Sequence, residues 1–215
     1  MHRTHRYGIG LGVVALSVVA SLLAAPELPQ EVAVHWNAAG EADGFMPAWA
    51  AMAFLPAVAA LLLGVLAVAP RFDPLRENIR QFQSTYDWLA VTVVGLLAYV
   101  HGVVLLVNTG YSFDIFQAFA PGIAALYLAV GFVLDRARQN WVVGIRTPWT
   151  LSDEQVWDET HERAGALFKG TGLVALGAVA LPQYGIYFVV APAVAVSLYA
   201  TVYSYLAFRR RQPTA

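Results

Sequence analysis

The apolar residues of this chain gather into long blocks instead of the three- and four-residue stripes of a water-soluble helix. Six blocks stand out, at 8–25, 49–69, 88–108, 115–134, 167–181 and 186–208, the fifth being the shortest. A run of about 20 apolar residues is long enough to cross a bilayer as a helix. The pattern therefore predicts an all-α bundle of about six transmembrane helices. The segments between them carry turn formers, such as NTGYSFD after the third block and PQYG after the fifth.

The polar positions set an orientation. Lysine and arginine favour the cytoplasmic side. With the amino terminus inside, Arg3 and Arg6, then Arg71, Arg76 and Arg80, then Arg136, Arg138, Arg146, Arg163 and Lys169, and finally Arg209, Arg210 and Arg211 all fall inside. Those are all 13 cations of the chain, so the expected topology has both termini in the cytoplasm. The first block also resembles a signal peptide, with a basic start and small residues at its end. Its length favours a retained helix, and the later topology is the same either way.

Composition agrees with the pattern. The chain is 59% hydrophobic and 13% charged, against roughly 25% charged in soluble domains. The absence of cysteine excludes disulfides, thiolate nucleophiles and cysteine metal sites. A net charge of −1 gives no reason to expect nucleic acid. The expected partner of the inner basic residues is the lipid bilayer of the cell membrane.

Two polar segments interrupt the apolar blocks. The outer one, 26–48, carries Glu27, Glu31, Glu41 and Asp43 and no cation. EVAVHW alternates as a short strand does, and NAAGEADG has the content of successive turns. His35, Asn37, Glu41 and Asp43 could approach a cation, although their spacing matches no metal motif, and no cofactor is expected. The plainer reading is an acidic loop packed on the outer helix ends.

The inner segment, 135–166, contains NWVVGIRTPWTLSDEQVWDETHERAG. Gly144 permits a sharp backbone, and Pro148 biases Thr147 away from helix. Ser152 with Gln155 has the spacing of a capping box. From there Val156, Trp157, Thr160, His161, Ala164 and Phe168 share one helical face. This predicts a cytoplasmic amphipathic helix, along the membrane surface, that feeds the fifth span. Trp141, Trp149 and Trp157 would anchor the segment at the headgroups. The connection 70–87 reads as a charged elbow, helical in part.

Polar residues within the blocks are few. His101 is the clearest, and an intramembrane ionisable group is a functional candidate by default. Tyr99 and Asn108 are the other members of any polar path. Pro56 and Pro192 are expected to kink their helices, and Gly172 and Gly177 to allow close packing. No metalloprotease, nucleophile-elbow or paired-acid motif is present, so an enzyme is not expected.

The inner segment is similar to the signature of the SdpI family of integral membrane proteins at Asn140, Gly144, Ile145, Arg146, Thr147, Trp149, Thr150, Trp157, His161 and Gly165. The amino-terminal part resembles a domain of unknown function often fused to it, at Leu28, Pro29, His35, Asn37, Gly40, Asp43 and Gly44. The resemblance implies two parts. Residues 1–70 would be a two-helix domain with an acidic extracellular loop, and 71–215 a four-helix domain with the cytoplasmic motif loop. It further implies immunity to a secreted toxic peptide, and signalling by holding a soluble transcriptional regulator at the membrane. Asn140, Gly144, Arg146, Thr147, Pro148, Trp149, Thr150, Trp157 and His161 would then form the inner docking surface. His35, Asn37, Gly40, Asp43 and Gly44 would belong to the outer sensor. The rival expectation is a small-solute or peptide permease using His101, Asn108 and Tyr99.

Overall fold

The computed structural model describes residues 2–212. Helix α1 (Arg3–Ala24) leads into a two-stranded antiparallel hairpin, β1 (Glu31–Trp36) and β2 (Ala42–Pro47), and α2 (Ala48–Val68) follows. A short α3 (Arg76–Gln81) precedes the long α4 (Gln83–Asn108) and α5 (Ile115–Leu134). After the motif loop come α6 (Pro148–Ser152), α7 (Glu154–Ala175), α8 (Gly177–Ala180), α9 (Gly185–Val189) and α10 (Ala191–Arg211). Helices α1, α2 and α4 pack on one another, α7 packs on α5 and α10, and α4 against α5 joins the two groups. The hairpin and the motif loop lie at opposite ends of the bundle.

Among the described residues, five stretches are long and apolar enough to cross a membrane: Arg3–Glu27, Ala48–Arg71, Gln83–Asn108, Ile115–Leu134 and Pro182–Arg211. Their outer faces show why. Leu16, Leu23, Leu61 and Leu198 are each more than 60% exposed, and such continuous apolar surface requires a nonaqueous covering. The fifth apolar block is not among them. Its helix, α7, begins with a charged half, stops at Leu176 and resumes as the single turn α8.

Small residues and unpaired carbonyls shape the packing. A Cβ on Gly131 would lie 2.8 Å from the Gly165 carbonyl oxygen, and one on Gly172 would lie 2.9 Å from the Ala124 carbonyl oxygen. These glycines bring α5 and α7 together backbone to backbone. Gly177 likewise admits Phe188. Helix α2 runs through Pro56 unbroken. Proline has no N–H, so the Met52 carbonyl loses its usual donor, and the Ser21 hydroxyl of α1 donates to it at 2.9 Å. The last apolar block breaks at Val190, and Pro192 sits in the first turn of α10, where a missing N–H costs nothing.

At the motif end, Asp87 of α4 is fully buried. It accepts from Gln83 Nε2 at 2.7 Å and faces Arg6 Nη1 at 3.3 Å and Arg3 Nε at 3.4 Å. A buried carboxylate is tolerated when paired and hydrogen-bonded in this way. The cluster ties α1 to α4 across 81 positions of sequence.

Candidate functional site

The motif loop is organised by Asn140, which is completely buried. Its Oδ1 accepts the Val142 and Val143 N–H groups, both at 2.8 Å. Its Nδ2 donates to the Arg138 and Val143 carbonyls at 2.7 and 2.9 Å. All four hydrogen-bonding positions of the amide are thus filled by loop backbone. The 70–87 connection grips the loop from outside. Buried Asp73 accepts the Trp141 N–H at 2.8 Å, and Asn78 donates to the Gln139 carbonyl at 2.8 Å. What reads in sequence as a charged elbow is therefore part of the site. It contains α3 as expected, although Phe82 separates that helix from α4.

Gly144 follows, with φ +128°, a conformation that favours glycine. The space demands glycine as well. A Cβ there would meet His161 Nε2 at 2.6 Å and the Trp157 ring at 2.8 Å. The Trp157 and His161 rings stack with centroids 3.9 Å apart and an interplanar angle of 16°. His161 Nδ1–H donates to the Trp157 carbonyl at 2.8 Å, which leaves Nε2 to accept the Ile145 N–H at 3.0 Å. Burial pushes the imidazole down from 6.5 to about 4, so it is neutral and able to accept. Trp157 is fully buried and its indole N–H donates to the Ala137 carbonyl at 2.7 Å. This corrects its expected place among the headgroup anchors. The amphipathic face of α7 is where the periodicity put it, but protein covers it. Trp141, about half exposed, remains at the surface.

The turn after Gly144 closes on Thr147 and Thr150. The Thr147 hydroxyl accepts the Thr150 N–H at 3.2 Å and the Thr150 hydroxyl accepts the Thr147 N–H at 3.0 Å, a reciprocal cap for α6 with Pro148 in its first turn. The Thr150 hydroxyl also donates to the Ile145 carbonyl at 2.7 Å. Thr147 reaches Ser204 of α10 at 3.0 Å, and Trp149 packs on Tyr205 with ring centroids 5.0 Å apart. The cap of α7 is Asp153, whose Oδ1 accepts from the Gln155 and Val156 N–H groups. Ser152, the cap expected from sequence, instead ends α6. Arg211 completes the frame, 3.4 Å from Asp153 and 3.1 Å from Glu159.

Arg146 projects from this frame. It is exposed, and one Nη donates to the Trp141 carbonyl across the loop. Among the described residues it makes no salt bridge, so most of its five donors remain available.

At the other end, His35, Asn37, Gly40, Asp43 and Gly44 all build the hairpin. His35 pairs across the strands with Gly44, whose missing Cβ would lie 2.8 Å from that of His35. His35 Nδ1 meets Asp43 Oδ1 at 2.5 Å. Asn37 Oδ1 accepts the Ala39 and Glu41 N–H groups, and Gly40 turns the chain at φ +80°. Asn37 pairs with Glu41, separately from His35 with Asp43. The four side chains therefore do not converge on a common point, and no group of three metal-ligating side chains occurs among the described residues. Asn108 at the end of α4 holds the hairpin down, accepting the Ala33 N–H at 2.8 Å and donating to the Ala33 carbonyl at 3.0 Å.

His101, also buried, meets the Ser21 hydroxyl at 2.7 Å. Tyr99 donates to the Ala118 carbonyl at 2.6 Å. With Asn108 engaged by the hairpin, each residue proposed for a polar path already joins one element to another.

A helical chain that turns leucine outward along its longest helices and keeps its polar order for the two ends is a multi-pass protein of the cell membrane. Its motif end matches the family model described as "SdpI/YfhL protein family" over residues 136–204. The model "Domain of unknown function (DUF1648)" matches residues 12–60, which include the hairpin. The Immunity protein SdpI of Bacillus subtilis (strain 168) is 28% identical over 151 residues, 69% of either chain. Residues 136–204 of the chain are thus similar to the SdpI family. No solved structure matches it.

Proposed function

We propose that this protein confers immunity on the cell that makes it, protecting the membrane from a secreted antimicrobial peptide. The observation that carries the reading is the motif loop. Asn140, Gly144, Thr147, Thr150, Trp157 and His161 spend their polar groups fixing one backbone path, and Arg146 is left projecting from it. Membrane anchoring alone requires no such construction, whereas a contact surface does. In this reading the motif end faces the cytoplasm, where all the lysine and arginine would lie. It is the face on which a soluble regulator would be held, and the hairpin end meets the peptide. The reading calls for no catalysis. The permease alternative is weakened because His101, Tyr99 and Asn108 are committed to interhelix and hairpin hydrogen bonds.

The test is deletion of the gene in its host, followed by exposure to spent medium from a dense parental culture. Killing of the deletion strain and rescue by the intact gene are expected. Equal growth of deletion and parent would overturn the proposal.

A further inference from the structure

Beneath the hairpin lies a cavity of about 280 Å3. Trp36 and Met46 of the hairpin, Leu55 of α2, Val100 of α4, and Phe116 and Phe119 of α5 line it, and His35 is its one polar lining side chain. Two of its lining residues, His35 of the hairpin and Phe54 of α2, are exposed. Ligand sites for whole small molecules run to roughly 300–1,000 Å3, so this volume suits one or two bulky side chains.

The charge around the opening narrows the occupant. The segments at this end, residues 25–48, 109–114 and 176–190, carry Glu27, Glu31, Glu41, Asp43 and Asp114 and no lysine or arginine. A field of one sign draws in partners of the opposite sign. It disfavours fatty acids and anionic lipids, which would bring carboxylate or phosphate to the same rim.

Resting on the immunity reading, we propose that this cavity is where the secreted peptide docks, and that the peptide is cationic and inserts a bulky apolar side chain between the hairpin and helices α2, α4 and α5. The acidic rim attracts and orients it, and the cavity supplies the anchor. Because hairpin, α2 and α4 all wall the cavity, occupancy is felt by the helices that run to the motif end.

The experiment uses spent medium from the parent strain on the deletion strain carrying different versions of the gene. The killing activity should be retained by a cation exchanger and elute with salt. Leu55→Trp and Val100→Phe, which fill the cavity from two helices, should each accumulate in the membrane like the parent protein. They should lower the tolerated concentration of the eluted fraction about tenfold or more, as expected for a lost apolar anchor. The Glu27→Gln/Glu31→Gln pair should weaken protection mainly at low ionic strength. Killing activity in the flow-through, or full protection by both filled variants, overturns the proposal while leaving immunity intact. If a filled variant fails to accumulate, the acidic pair and the charge of the killing fraction still decide. If the intact gene gives no protection, the immunity reading falls and the docking proposal falls with it.

Discussion

Protonating His161 should unlock the motif loop. Its imidazole is 2% exposed, and its Nε2 is the acceptor for the Ile145 N–H. A proton on Nε2 would convert that acceptor into a donor facing another donor, and would place a charge against the Trp157 ring within a buried contact. The native pKa of about 4 lies below the ordinary 6.5. Between these values the unfolded chain binds the proton and the folded chain does not, so stability falls as pH falls. The contribution is fully present above pH 6.5 and is lost progressively down to pH 4. At about 1.4 kcal/mol per pH unit, the loss is on the order of 3 kcal/mol. The assay is thermal unfolding of detergent-solubilised protein across that pH range, for the parent and for His161→Gln, with the difference between them isolating this group. Histidine NMR should show the His161 ring still neutral near pH 5, assigned by the loss of its signal in the variant. Titration of His161 near 6.5 would refute the buried acceptor and with it the account of the turn.

Three other substitutions follow from the same geometry. Gly144→Ala forces a left-handed alanine into His161 and Trp157, and should cost about 2–5 kcal/mol, read as a lowered unfolding temperature. Asp73→Ala removes the acceptor of the Trp141 and Leu75 N–H groups; a loss of about 2 kcal/mol and faster proteolysis between Arg138 and Arg146 are expected. Arg6→Ala leaves Asp87 buried with Arg3 as its remaining cation; a loss of about 3 kcal/mol in unfolding assays is expected, largely restored by adding Asp87→Asn.

Much of the architecture could be read from the apolar blocks, because a bilayer demands length and apolarity from each crossing helix. Strand β1 was equally legible from the alternation in EVAVHW. Its partner β2 was hidden, since Gly44 and Pro47 are poor strand formers. It forms because Gly44 lets His35 cross. Periodicity identified the buried face of α7 but is silent on what covers a face, so Trp157 read as a headgroup anchor although it packs inside. Ser152 and Asp153 are adjacent and both good caps, and only the backbone separates their roles. Asp73 and Asp87 gave no local sign of importance. Beyond their local contacts with Leu75 and Gln83, the partners that tie them into the fold, Trp141 and Arg6, lie 68 and 81 residues away, and no spacing rule connects those. The glycine, asparagine and threonines of the motif were visible as a pattern. Their task of fixing one backbone path could be seen only once the hydrogen bonds were.

The motif loop is a fixed platform presenting Arg146. The most direct test of this compares the deletion strain restored with the intact gene and with Arg146→Ala, measuring survival in parental spent medium alongside membrane accumulation and unfolding temperature. The Arg146→Ala protein should accumulate and unfold like the parent but should not protect. An Arg146→Ala protein that protects fully, or that is lost from the membrane because the bond to the Trp141 carbonyl is structural, would contradict it.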